Sequence, residues 1–472
     1  MNSVLTSPQQ TSLLPLPVSE SSTPTTNSVL RLREVQNTPV LLDFEGGQLT
    51  SDAGLLLLRE VDQQLGLVDA LANVIPDTRD ARYVDYSTKE LLLQRIGQII
   101  SGYEDANDCD TLRHDPIFKM FAGRLPESDA ALASQPTMCR FENRVTRKML
   151  YQIACVFAEQ FVASYETPPA IIVLDLDDTE DRVYGDQQLA LFNNYYKERC
   201  YMPLHIYEGL SGKLVTTILK PGKRARGKLM RSIVKRLIAY LRQQWPDTIF
   251  ILRGDSHFAY PEVMAWTEAQ PNMHYCYGLT SNAVLDKHVQ SHLTSARKLY
   301  EHTQHATHLY HAFSYQAESW PHARRVVAKV EVSERGTNVR FVVSDMKAAR
   351  AEVLYRDIYC ERGHAELYIK EHKLYLKSDR TSCSDFLANQ LRLFLHSAAY
   401  VLIHALKSNV LKHTEWAKAS IATLRARLFK IGARVRQLKT RIKVELPTAF
   451  PLKELLLRSF QKFALLTPVL ST

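Results

Sequence analysis

Three acidic residues, Asp177, Asp255 and Glu366, lie far apart along the chain, each beside residues that make sense around phosphate chemistry. Carboxylates that converge are costly unless a cation neutralises them, and hard oxygen donors with water select Mg²⁺ or Mn²⁺. Two such ions, roughly 3.5–4 Å apart, activate water or a 3′-hydroxyl and stabilise the leaving oxygen in an in-line attack on phosphate. An acid after a strand commonly only starts a turn, so neither aspartate is decisive alone. Around Glu366 the pattern is more specific. Tyr359, Arg362, Glu366 and Lys373 are spaced by three, four and seven residues. At about 100° per residue each step returns to nearly the same side of a helix. A phenol, two cations and one acid make a poor core face. They suit a face on which the acid holds a metal and the cations hold the phosphates of a strand being cut. The mid-helix Gly363 leaves room for a DNA backbone.

The elements that must position these acids follow from the hydrophobic pattern. Ala170–Leu176, Tyr201–Tyr207 and Lys213–Leu219 read as strands, the last two joined by the hairpin turn Glu208–Gly212. Lys228–Arg242 is helical, Thr248–Leu252 a strand running into Arg253-Gly254-Asp255, Pro261–Ala269 a helix and His274–Leu279 a strand. Three linked strands followed by alternating helices and strands is the order of a ribonuclease-H-like α/β fold. Its completing helix, Glu352–Lys377, starts late, so residues 280–348 are expected to be a β-rich insertion with strands Arg325–Val332 and Val339–Val343.

Outside this core, residues 1–34 are expected to be a flexible tail, because the first 30 hold a single charge, Glu20, and little apolar surface. A helical domain over 35–167 contains Ala53–Leu65, Lys89–Ile100 and Thr146–Ser164, and stops at Thr167-Pro168-Pro169. The catalytic domain is expected in two parts, 168–279 and 349–384, followed by a basic helical region, 385–472.

With 472 residues and 45% hydrophobic positions the chain can bury several cores, which excludes a small disulfide scaffold and a wholly disordered chain. The net charge of +9 is concentrated between Lys407 and Lys443, where eleven Lys or Arg face one acid, Glu415. A second run, Gly209–Pro246, holds ten Lys or Arg and no acid, with Lys223, Arg224 and Arg226 in an expected loop. Both runs suit DNA, each phosphate contact adding about 0.9 to the log–log salt slope. Trp320 is a candidate stacking surface for an extruded base, with a tryptophan in a small β core as the alternative. The seven cysteines show no C-x-x-C spacing, which suits a reducing compartment. The apolar run Phe394–Leu406 is too short to span a bilayer. No phosphate-binding Gly-x4-Gly-Lys-Ser/Thr loop is present, so no nucleotide cofactor is expected.

Tyr359-x2-Arg362-x3-Glu366-x6-Lys373 resembles the Y-R-E-K signature of bacterial insertion-sequence transposases of the DDE class. Leu174–Thr179 and Leu252–Phe258 look like that class's first and second acid motifs, and Leu49–Leu58 with Gln135–Asn143 resembles insertion-sequence family 1380 more narrowly. The resemblance runs from about residue 35 to residue 460. It implies a retroviral-integrase-like core and a catalytic, metal-holding triad of Asp177, Asp255 and Glu366 that uses two Mg²⁺ ions, replaceable by Mn²⁺. It also implies that Tyr359, Arg362 and Lys373 contact the backbone of the element's ends. The expected activity is cleavage at the terminal inverted repeats and joining of the 3′-hydroxyls to target DNA. The partners would be end and target DNA and a second copy in a paired-end complex, in the bacterial cytoplasm at the nucleoid, with no membrane. Asp175, Asp177 and Asp178 compete for the first position. Alternation puts Asp175 and Asp177 on one strand face, and the family's D-x-T pattern selects Asp177 with Thr179.

Three other readings compete. A structure-selective nuclease would use the same acids without joining, and a DNA-binding descendant would neither cut nor join. Asp175-x-Asp177-x-Thr179 also resembles the first motif of haloacid-dehalogenase-type phosphatases, where Asp175 would be the nucleophile. That reading leaves the Tyr359–Lys373 stripe without a use.

Overall fold

A computed structural model describes residues 29–463. Residues 29–47 form a unit of their own, an antiparallel hairpin of Leu30–Val35 and Thr38–Leu42. Its turn places Gln36 and Asn37 in the left-handed region, at φ 48° and 63°, as two-residue hairpins require. Residues 1–28 of the expected tail lie outside the described residues, but residues 30–34 are strand. Alternating Leu30 and Leu32 and the turn-forming Asn37 outweigh the polar composition upstream.

The unit from Gln48 onward is organised around one eight-stranded sheet. Its strands in chain order are β1 (Ile171–Asp178), β2 (Leu204–Glu208), β3 (Leu214–Ile218), β4 (Ile249–Gly254), β5 (Met273–Leu279), β6 (Thr307–Tyr315), β7 (Arg324–Ser333) and β8 (Gly336–Ser344). Their spatial order is β6-β7-β8-β5-β4-β1-β2-β3. β4 lies parallel to both β1 and β5, whereas β2 is antiparallel to β1 and to β3. The five strands β3-β2-β1-β4-β5 thus have ribonuclease-H-like order and polarity. β1 and β4 are central and covered on both faces, which is why they read as near-continuous apolar runs.

The segment expected as an insertion is β-rich and holds both expected strands, as β7 and β8, but they do not form a separate sheet. β8 pairs with the free edge of β5, from Cys276↔Ser344 to Leu279↔Phe341, so β6, β7 and β8 prolong the central sheet. An exposed β5 edge would leave a row of backbone groups unpaired, and β8 satisfies them. The segment also contains a 21-residue helix, Ala283–Thr303, capped by Asn282 and packed on β6 and β7.

The helices expected near the N-terminus form as Leu55–Leu65, Thr88–Ser101 and Arg147–Ala163. The second starts at a capping box: Ser87 Oγ accepts from Glu90 N at 3.2 Å, and Glu90 Oε2 accepts from Ser87 N at 2.7 Å. These helices do not enclose a core of their own. They share one with the late helix Phe386–Ala405, whose Leu391, Phe394, Leu395 and Leu402 pack among Leu92, Ile96, Phe118 and Phe157. A buried ion triad ties the parts: Glu142 accepts from Arg95 at 3.2 Å and from Arg392 at 2.8 Å. The Phe386–Val410 segment is long and apolar enough to cross a membrane, and 83% of its most apolar window is buried inside the protein. The C-terminal region is not wholly helical. Ala433–Gln437 and Ile442–Glu445 form a three-stranded sheet with Leu49–Thr50.

Candidate active site

Asp177 lies near the end of β1 and Asp255 immediately after β4. The parallel register of these strands pairs Arg253 with Asp175 and Gly254 with Leu176, so Asp255 and Asp177 are the residues that follow the last pair. The third acid comes from a continuous helical segment, residues 351–375. It has π-helical stretches at Leu354–Tyr359 and Glu371–Tyr375, a 3₁₀ turn at Cys360–Arg362 and an α-helical stretch at Gly363–Lys370. π stretches advance less than 100° per residue and are frequent at functional sites. Here they rotate the ends of the stripe relative to an ideal α-helix.

One guanidinium joins the elements. Arg362 Nη1 lies 3.3 Å from Asp177 Oδ2, and Nη2 lies 3.0 Å from Glu366 Oε1. Burial pushes the Asp177 carboxyl up to about 7; Arg362 opposes that shift, and the charges of Asp255, Asp178 and Glu366 add to it. Asp255 accepts from His257 N at 2.8 Å and caps the short turn Ser256–Phe258. Tyr359 is half-buried beside Gly278 of β5, where an added Cβ would fall 2.6 Å from the Tyr359 hydroxyl. Only a glycine lets that phenol and the Ser256 backbone approach so closely. The groove of about 560 Å³ at this point is lined by Asp255, Gly278, Arg340, Tyr355, Tyr359 and Arg362, among others.

The competing acids of β1 are engaged elsewhere. Asp178 accepts from Lys220 at 2.6 Å through both oxygens, in a pair 6% and 4% exposed. Asp175 is 1% exposed and bound by the fork of Arg253, Nη2 to Oδ2 at 2.7 Å. A nucleophile sealed in an ion pair cannot reach a substrate, which overturns the phosphatase reading. On the late helix, Glu361 pairs with His364 at 3.1 Å and Glu371 with Lys407 at 3.4 Å, away from Asp177.

Lys373 bonds the segment after β1. Its Nζ donates to Thr179 Oγ1 at 3.3 Å, to Glu180 Oε2 at 3.1 Å and to the Glu180 carbonyl. Lys223 and Arg226 are exposed. Arg224 stacks on Tyr260, 4.5 Å from the ring centroid, and donates to the His257 carbonyl, which fastens the basic loop to the loop of Asp255. No added Cβ at Gly363 would meet any atom within 4 Å. Trp320 is 6% exposed, with Arg324 over its ring and Tyr315 at its edge, so it belongs to the sheet core and presents no face for a base. Several cations of the basic runs are likewise engaged within the protein, Lys220 buried and Arg425 and Lys430 partly buried. Lys220 holds Asp178, Arg425 donates to the carbonyls of Ile99, Ile100 and Tyr375, and Lys430 pairs with Asp52 at 2.7 Å.

Among the described residues no three His, Cys, Asp or Glu are gathered closely enough to hold a metal ion. The donor set of Asp177, Asp255 and Glu366 nonetheless fits a hard divalent cation, and a cationic guanidinium stands between two of the three. Arg253 and Lys220, which engage Asp175 and Asp178, were not singled out from the sequence. The available signal for Arg253 was a charge inside an apolar strand.

A solved structure of the piggyBac transposase synaptic complex with hairpin DNA is similar over 80% of each chain, at 12% identity and a TM-score of 0.42. No curated protein sequence matches the chain. The sequence model for the transposase DDE domain group 1 family matches residues 32–468, and the chain belongs to that family.

Proposed function

We propose that this DDE transposase cuts DNA at the terminal inverted repeats of its own element and joins the freed 3′-hydroxyls to target DNA, using Asp177, Asp255 and Glu366. The observation that carries the assignment is the reach of Arg362, which touches the β1 acid and the helix acid together beside the loop of Asp255. DDE transposases generally use divalent metal ions, and the three carboxylates are the groups that would hold them, with two Mg²⁺ ions per site. Bound there, such ions supply an activated oxygen nucleophile and stabilise the leaving oxygen. Arg362, whose planar fork spans two of these acids, would equally well match a phosphate of the bound strand. Tyr359 lines the groove, and Lys373 orders the segment that follows Asp177. Two copies would hold the paired ends.

Labelled end DNA incubated with the purified chain and Mg²⁺, with Ca²⁺ as the comparison, tests the cutting step. Adding a supercoiled plasmid tests joining. Cleaved and joined products are expected; cleavage of branched DNA without any joined product would instead make the chain a nuclease. Asp255→Ala and Glu366→Ala should each abolish cutting while leaving end binding intact in a mobility-shift titration.

A further inference from the structure

Two residues upstream of each candidate aspartate, the strands are locked together by a buried ion pair that also grips the late helix. Asp175 precedes Asp177 by two positions on β1, and Arg253 precedes Asp255 by two on β4; they are direct neighbours in the parallel register. Both side chains are sealed, 1% and 2% exposed. Arg253 Nε and Nη2 clasp the two Asp175 oxygens, and Nη1 donates to the carbonyl of Ile358 at 2.6 Å. Ile358 lies next to Tyr359, one turn before Arg362 and two before Glu366. β4 therefore supplies the guanidinium, and β1 and the late helix each supply a group that it binds.

We propose that Asp175 and Arg253 are positioning residues, a clamp that sets β1, β4 and the late helix so that Asp177, Asp255 and Glu366 face one another. This rests on the assignment of those acids to the site. A buried ion pair is seldom more stabilising than apolar side chains of the same volume, so stability is a poor reason for this one. A planar fork with fixed donor directions supplies alignment, which a lysine at the same place would not. The hairpin after β2 is shaped around the clamp. Gly209 donates its N–H to Val173 O at 2.8 Å, and a Cβ there would fall 2.5 Å from Asp175 Oδ2 and against Arg253 Nη2.

Three variants of the full chain test the clamp. Arg253→Lys keeps the charge and loses the fork. Gly209→Ala displaces the clamp while sparing both charges. The double variant Asp175→Leu/Arg253→Met removes the clamp without leaving an unpaired charge, so it is expected to melt close to the wild type. In variants that melt like the wild type, end binding should stay within about twofold, the Mn²⁺ concentration for half-maximal cutting should rise severalfold, and cutting should fall about 100-fold, the scale of a displacement near 1 Å. Hydrogen exchange of the segments around 254–258 and 358–366 should quicken. Wild-type cutting, Mn²⁺ dependence and exchange in such a variant would overturn the clamp and leave the transposase assignment standing. If the unaltered chain cuts no DNA, that assignment fails instead, and the exchange measurement alone decides the clamp, unchanged exchange refuting it. Should the double variant not fold, Arg253→Lys and Gly209→Ala carry the test.

Discussion

Arg362 bonds two carboxylates at once, so removing it leaves Asp177 and Glu366 without the cation they share. Arg362→Ala should weaken end processing more than nonspecific DNA binding, read from cutting rates beside mobility shifts, because the proposed role of the arginine is to take a phosphate of the processed end. Asp177 carries a pH signature. With its folded value near 7 against an ordinary 3.8, the folded chain holds a proton there that the unfolded chain releases. The sign is therefore that Asp177's contribution to stability is greatest at and below about pH 4 and is lost as pH rises toward 7. A divalent ion held by Asp177, as proposed, would have to displace the same proton. Mn²⁺ affinity, measured calorimetrically on the full chain, is expected to rise from pH 6 to pH 8, by up to about tenfold per unit below 7. In Asp177→Asn that rise should flatten.

Elements far from the acids hold the frame in which the late helix sits. The Arg95–Glu142–Arg392 triad joins the helices Thr88–Ser101, Gln135–Asn143 and Phe386–Ala405, with Glu142 fully buried. Glu142→Gln leaves two guanidiniums facing a neutral amide and should destabilise the chain by about 3 kcal/mol, seen as a lower melting temperature. The strands β1 and β4 were legible because they are apolar on both faces and end in acids. The pairing of β8 with β5 was not, since a short strand shows its face pattern but not its neighbour. The π stretches of residues 351–375 were equally hidden: the residue types still read as a helix while the backbone winds differently.

Among the described residues, cations divide between exposed ones and ones engaged with buried partners. Lys223 and Arg226 are exposed on a loop that Arg224 fastens to the loop of Asp255. Lys223→Ala/Arg226→Ala should lower the log–log salt slope of DNA binding by up to about 1.8, two phosphate contacts' worth, with melting unchanged. Lys220, Arg425 and Lys430 lie in the same basic runs but hold buried acids or carbonyls. Composition counts all of these cations alike, since burial is a property of the folded chain.

The residue order alone was enough to pick out the ribonuclease-H-like succession of strands and helices, and to mark Asp255, Glu366 and the Tyr359–Lys373 stripe as candidates. Hydrophobic period and residue spacing are local quantities, readable along one segment. Long-range pairing settled the remainder. Arg253 and Lys220 claim Asp175 and Asp178 and leave Asp177 facing Arg362, Trp320 is enclosed in the sheet core, and residues 307–344 extend the central sheet. Each of these outcomes depends on which distant side chain or strand edge supplies the missing partner, a relation that no single stretch of sequence contains.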